Sequence, residues 1–216
     1  MKKFFAAVGT LCVAVCLAVS AFAAEYGEPN ITTQTTMKEL RENPSIKGSG
    51  FYTYCNEWIE GDTSYDDTPI SGYVSYAAAE DAAEGMNLVI ENYNKGVQIT
   101  WQVYTQEQIA ETPALGMVQL FYFPAKTENA KYVVVVPGNG GNTTAELNEG
   151  ASIANQLHDL GYAVFVLRYR SFLNASDNAP VYDIGNALKY LYENADQFGV
   201  QRDNYAVMGF SSGGHI

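Results

Sequence analysis

Near its C-terminus the chain has an apolar run, residues 205–208, that leads directly into the pattern Gly209-x-Ser211-x-Gly213. In this pattern a strand turns sharply into a helix, and glycines flank the serine because the turn leaves no room for side chains beside it. The turn presents the serine hydroxyl beyond the end of the sheet, close to the first N–H groups of the helix. The pattern makes Ser211 a candidate nucleophile; the alternative is an ordinary tight turn between a strand and a helix.

Upstream of this motif, strand-like and helix-like patterns alternate. Residues 132–136 are a nearly continuous β-branched run, which is typical of a strand buried on both faces. Strands that alternate with helices predict an α/β fold with a mostly parallel sheet and flanking helices. The predicted strands are 97–104, 117–123, 132–136, 163–167 and 205–208, and the predicted helices are 144–160 and 180–198.

A second glycine-rich segment, residues 137–141, directly follows the buried strand. Ligands of parallel sheets lie beyond the C-terminal ends of the strands, and both glycine segments fall there. A dinucleotide-phosphate loop would need a third glycine at the place of Thr143, so the spacing disfavours it. A plain glycine turn remains an alternative.

If Ser211 attacks a carbonyl group, unshielded backbone N–H groups must stabilise the oxyanion that forms. We expect one N–H from Ser212, the residue after the nucleophile. The second is expected from the glycine-rich segment, at Asn139 or Gly140.

The composition limits which partners the protein can bind. Hydrophobic residues make up 47% of the 216 residues and aromatic residues 13%, which is ample for a packed core. The formal net charge is −12. An acidic surface of this kind repels nucleic acid and anionic membranes, so we expect neither as a partner. The sequence does not indicate an oligomeric state.

The first 23 residues have the layout of a secretory signal peptide. Lys2 and Lys3 form a basic start, residues 4–19 are apolar, and residues 21–23 form an A-x-A cleavage site. An uncleaved membrane anchor is the alternative. We therefore predict an exported, extracytoplasmic protein that has no membrane contact after cleavage. Its expected parts are the leader 1–23, an N-terminal extension of unknown role at 24–95, and the α/β region at 96–216.

Few residues could hold a metal or act as a base. Outside the leader, Cys55 is the one cysteine, either a buried apolar residue or half of a bond whose partner is missing. The two histidines, His158 and His215, lack the spacing of metal ligands. His215 follows Ser211 by one helical turn and is expected to point along the helix, which makes it a poor candidate for the base.

Residues 132–141, 160–170 and 208–215 resemble the oxyanion-loop strand, the following strand and the nucleophile elbow of α/β-hydrolase esterases and lipases. The nearest similarity is to bacterial carboxylesterases related to acetyl-xylan and feruloyl esterases, and it covers about residues 116–216. The resemblance implies a Ser-Asp-His mechanism without metal or organic cofactor. Two departures stand out: Asn139 replaces the middle glycine of the usual loop, and the acid and histidine that follow the elbow in this family are absent.

We therefore expect the N-terminal part of an exported serine carboxylesterase that forms an acyl-enzyme on Ser211. Its substrate would be a small-molecule or polysaccharide-linked ester. Two alternatives stay open: a non-catalytic binding module on a hydrolase scaffold, and a serine peptidase of the same fold. Residues 24–95 show no repeated propeller blades, which makes the peptidase the less favoured enzyme.

Overall fold

The computed structural model of the protein describes residues 25–51, 64–74, 77–138, 144–171 and 174–216. The predicted leader, Cys55, Asn139 and Gly140 lie outside these ranges. Within them the elements follow in the order α1 (Met37–Glu42), α2 (Pro44–Ser49), α3 (Ile70–Tyr73), α4 (Ala79–Asn94), β1 (Thr100–Gln102), α5 (Gln106–Glu111), a 3-10 helix (Pro113–Met117), β2 (Gln119–Phe123), β3 (Ala130–Val136), a π-helical turn (Glu146–Ala151), α6 (Ser152–Asp159), β4 (Ala163–Arg168), a 3-10 turn (Ser176–Asn178), α7 (Ala179–Glu193), β5 (Val200–Gly209) and α8 (Ser211–His215).

The five strands form one mixed sheet in the order β1-β2-β4-β3-β5. Strand β3 lies between β4 and β5 and runs parallel to both, as the alternating pattern predicts. Strands β1 and β2 differ, because β1 pairs antiparallel with β2 and β2 pairs antiparallel with β4. The alternation of strands and helices that predicts parallel pairing begins only at β3, so the difference is confined to the two strands before it.

Side chains of the central strands alternate between two apolar layers, one on each face of the sheet. On β3, Val133 and Val135 face the layer that contains helices α4 and α6, whereas Tyr132 and Val134 face the layer of α7. Because both faces are covered, residues 132–136 are all buried. The continuous β-branched run is therefore explained by burial on both sides.

The described part of residues 25–95 is helical and packs on the first of these layers. Helix α4 lies against α6 and α2, and its buried side chains Met86, Val89 and Ile90 join the core beneath the sheet. Helix α1 begins with a capping box: the Thr36 hydroxyl accepts from the Glu39 N–H, and the Glu39 carboxylate accepts from the Thr36 N–H. This reciprocal capping satisfies two N–H groups that the first turn leaves without partners.

The C-terminal ends of β3 and β5 lie side by side, because Val136 pairs with Gly209 in the parallel ladder. The Phe210 N–H donates to the Val136 carbonyl oxygen at 3.0 Å and extends this pairing by one bond. As expected, the glycine segment after β3 and the serine motif after β5 start at the same edge of the sheet.

Candidate active site

The backbone at Ser211 forms the sharp connection between a strand and a helix that the motif predicts. Strand β5 ends at Gly209, and helix α8 begins at Ser211. The φ angle of Ser211 is +47°, in the left-handed region that residues with a side chain rarely adopt. The residue is exposed, so a reactant can approach it from solvent.

Two glycines make this turn possible, because backbone atoms occupy the space that a side chain would need. A Cβ atom on Gly209 would lie 2.6 Å from the Gly214 Cα. A Cβ atom on Gly213 would lie 2.2 Å from the Val136 carbonyl oxygen. Steric crowding by backbone atoms thus explains why both predicted elbow positions are glycines.

The start of the second glycine segment reaches the serine. A Cβ atom on Gly138 would lie 2.6 Å from the Ser211 Cβ and 3.1 Å from the Phe210 carbonyl oxygen. Gly138 therefore packs directly on the elbow. The predicted oxyanion donors Asn139 and Gly140 come immediately after Gly138, outside the described residues. The other predicted donor, the N–H of Ser212, lies in the first turn of α8.

A carboxylate that the sequence analysis did not single out holds the start of this loop. The Gly138 N–H donates to Glu149 Oε2 at 2.6 Å, and the Gly138 carbonyl oxygen accepts from the Ala145 N–H at 2.8 Å. The amide of Gly138 is therefore already bonded, and oxyanion donors have to come from other residues. A glutamate in a helical segment gives no local indication of this contact.

The end of β4 is fixed by a buried ion pair close to this edge. Arg170 contacts the fully buried Asp183 carboxylate through its guanidinium, at 2.7 Å from Nη2 to Oδ1, and through its backbone N–H at 2.9 Å. The Tyr104 hydroxyl donates to the same carboxylate at 2.7 Å. Burial and the contact with Asp183 raise the pKa of Tyr104 to about 12, so the hydroxyl keeps its proton at neutral pH. Asp183 thus has a structural role.

Neither histidine is brought to the serine by a contact among the described residues. His158 is buried at the end of α6, where its Nδ1 lies 4.0 Å from Asp159 Oδ1. Its burial lowers the pKa of the imidazole. His215 is exposed at the last residue of α8. The described residues contain no group of three His, Cys, Asp or Glu side chains placed to hold a metal ion. None of their helices has the length and apolar character that crossing a membrane requires.

Comparison with known proteins relates the C-terminal half of the chain, which contains Ser211, to a family of proteins. Residues 119–216 match the BD-FAE family. The acetylxylan esterase of Xylanibacter ruminicola is 28% identical over 101 residues, which cover 47% of this chain and 21% of that protein. The endo-1,4-beta-xylanase B of Butyrivibrio fibrisolvens is 30% identical over 87 residues, 39% of this chain and 14% of that protein.

Among solved structures, the acetyl ester-xyloside bifunctional hydrolase of Caldicellulosiruptor lactoaceticus matches with a TM-score of 0.49 and 24% identity. The match covers 54% of this chain and 43% of that structure. The chain spans about a fifth or less of the length of the two curated relatives.

Proposed function

We propose that Ser211 is the nucleophile of a carboxylesterase, because the chain carries part of an α/β-hydrolase domain of the esterase class. The observation that carries this proposal is the backbone at Ser211. An exposed serine with a φ angle of +47°, at the end of a parallel strand and packed against Gly138, fits the nucleophile elbow of acyl-transfer enzymes.

In the proposed reaction the Ser211 hydroxyl loses its proton to a base, and Oγ forms a bond to the ester carbonyl carbon. The oxyanion accepts hydrogen bonds from the N–H groups of Ser212 and of Asn139 or Gly140, each worth about 3 kcal/mol in the transition state. The base returns the proton to the departing alcohol as the ester C–O bond breaks. Water then attacks the acyl-enzyme by the same route and releases the acid. No step of this mechanism uses a metal or an organic cofactor.

The mechanism needs a base, and the described residues offer no suitable candidate for it near Ser211. His158 is buried at the far end of α6, and His215 lies one helical turn beyond the serine. In hydrolases with this elbow the acid and the histidine follow the serine in chain order. We therefore assign both groups to a segment of the full-length protein that follows the elbow.

We further propose that the enzyme is exported and acts on esters attached to a polysaccharide. The leader-like residues 1–23 support export. The relatives are named as an acetylxylan esterase and a xylanase, which supports an acyl group carried on a xylan-like chain. The net charge of −12 is compatible with an uncharged polysaccharide and disfavours nucleic acid as a partner.

A fluorophosphonate probe tests this proposal in the full-length protein. We expect one covalent adduct, mapped to Ser211 by peptide mass spectrometry, and hydrolysis of short acyl esters but not of peptide amides. Peptide cleavage would favour the serine peptidase. Absence of both labelling and ester hydrolysis in a folded sample would favour a non-catalytic binding module and overturn the proposal.

A second prediction concerns Gly138. In the Gly138→Ala variant the added methyl group would meet the Ser211 Cβ at 2.6 Å and Glu149 Oε2 at 2.9 Å, so the loop and the elbow must separate. We expect kcat of the full-length enzyme to fall by about 10- to 100-fold, since small displacements of reacting groups cost that much. Gly185→Ala in helix α7 is the matched control, because nothing lies within 4 Å of the added Cβ. An unchanged kcat for Gly138→Ala would contradict the close packing of Gly138 on Ser211.

A further inference from the structure

We propose that Tyr169 is a positioning residue that joins the two halves of the oxyanion hole. Its phenol hydroxyl bridges Ser212, which supplies one N–H donor, and Pro137, which precedes the loop that supplies the other. The inference rests on the proposed function and assigns to that site a residue whose side chain lies outside it.

The bridge is built from one buried side chain. Tyr169 follows directly after β4 and is fully buried in the layer that also contains Val136. Its hydroxyl donates to the Pro137 carbonyl oxygen at 2.8 Å. The Ser212 side chain also forms a hydrogen bond with this hydroxyl. A phenol hydroxyl has one proton to donate and can accept as well, so it can serve both partners at once.

The direction of the two bonds follows from the partners: the Pro137 carbonyl oxygen can only accept, so the phenol donates its proton there and its oxygen is left to accept from Ser212. Burial raises the pKa of Tyr169 to about 12, and the carboxylates of Glu146 and Glu149 add to the increase. The bond from Ser212 acts in the opposite sense and lowers this pKa, as a donor to the phenol oxygen does. At neutral pH the phenol is therefore protonated: it accepts from Ser212 and donates to Pro137.

The bridge lies where the backbone ladder ends. The Phe210 N–H bonds to the Val136 carbonyl oxygen, and the next carbonyl along the chain, that of Pro137, accepts from Tyr169. Proline has no N–H of its own to offer. The tyrosine hydroxyl thus continues the connection between β3 and the elbow by one further step, at the point where the loop leaves the sheet. Its loss should let the loop and the first turn of α8 shift relative to each other.

Tyr122 provides a matched control on the same face of the sheet. Its hydroxyl also donates to a backbone carbonyl at 2.8 Å, that of Phe198, and burial likewise raises its pKa to about 12. The hydrogen bond and ring contacts described for Tyr122 involve Phe198 and Phe165, not the serine motif. Tyr169→Phe and Tyr122→Phe therefore remove equivalent hydroxyls, one at the proposed oxyanion hole and one away from it.

The test measures ester hydrolysis by the full-length enzyme and its inhibition by a boronic acid, which forms a tetrahedral adduct on the serine. For Tyr169→Phe we expect kcat to fall by about 10- to 100-fold with KM within twofold, and boronic acid affinity to fall in parallel. Tyr122→Phe should keep kcat within about twofold, since it alters no group near the reacting atoms. Ser212→Ala keeps its N–H but loses the bridge, so it should cost about tenfold, and the double variant should be no worse than Tyr169→Phe alone.

Equal kcat values for Tyr169→Phe and Tyr122→Phe would overturn the inference, as would fully additive effects of the Tyr169 and Ser212 changes. Wild-type protein without esterase activity would instead contradict the proposed function. In that case a double-mutant cycle on the free energy of unfolding still tests the bridge, because contacting residues couple and separated ones do not. Additive unfolding energies for Tyr169→Phe and Ser212→Ala would show that the bridge does not exist.

Discussion

Replacing Ser211 by alanine in the full-length protein should lower kcat for a short acyl ester by about 10⁴-fold or more, because no other atom can form the acyl bond. The fold should persist, since the exposed hydroxyl is not part of the core. The decisive measurement is kcat together with a thermal melting curve for each variant.

Ser212→Ala is the internal control for this experiment. It removes a hydroxyl one residue away but keeps the backbone N–H, so it should retain about a tenth of the activity. A Ser211→Ala variant that hydrolyses esters at the wild-type rate would show that the elbow is not catalytic. If Ser212→Ala instead abolished activity and Ser211→Ala did not, the nucleophile would be Ser212.

The largest expected effect on stability concerns Asp183. Its carboxylate is fully buried and accepts from the Arg170 guanidinium, the Arg170 N–H and the Tyr104 hydroxyl. Asp183→Ala would leave the guanidinium, whose side chain is 16% exposed, without its counter-ion. Breaking a buried pair in this way costs about 3–5 kcal/mol of unfolding free energy. Denaturant unfolding of the full-length protein measures this loss.

Asp196→Ala is the matched control, because Asp196 pairs with Arg202 at 3.2 Å but its side chain is 94% exposed. Surface pairs contribute little, so the midpoint of denaturant unfolding should barely move. Similar midpoints for the two variants would mean that the Asp183 carboxylate does not hold the end of β4 in place.

Most strands, and the sharp turn from strand to helix at Ser211, were predictable because they depend on local patterns. The β-branched run 132–136 reports burial on both faces, and the strand observed there is Ala130–Val136. The motif around Ser211 specifies its own backbone, since the two flanking glycines occupy positions without room for a Cβ. The α/β class and the esterase resemblance, both inferred from these segments, are confirmed.

Helix α4, Ala79–Asn94, was not predicted. Its sequence includes Gly85 and Asn87, which are weak helix formers, and its buried side chains gain their stability from contact with α6 and the sheet. Helix α5, Gln106–Glu111, was also missed: it contains no buried residue, so the apolar periodicity that marks helices is absent. Helix α5 thus depends on its cap at Thr105 and not on an amphipathic repeat, whereas the buried positions 82, 83, 86, 89 and 90 of α4 do follow helical spacing and were a signal available in the sequence.

The supporting residues of the site could not be predicted for a related reason. Tyr169 meets Pro137 across 32 positions of the chain, and Glu149 meets Gly138 across 11. Such contacts follow from the order of strands in the sheet, which the pattern of elements does not specify. The sequence identifies the candidate nucleophile, whereas the groups that hold its surroundings emerge only from the topology.

At position 211 the left-handed backbone opposes two demands: protein stability favours glycine, whereas the proposed reaction needs the serine hydroxyl. Holding a residue with a Cβ at a φ angle of +47° costs about 1–2 kcal/mol, and glycine adopts the same angle without that cost. A library of variants screened for heat resistance alone would therefore enrich glycine at position 211 and discard the hydroxyl. Under the proposed function, laboratory evolution of this protein has to select for turnover as well as heat resistance, because Ser211→Gly would give a more stable protein without its nucleophile.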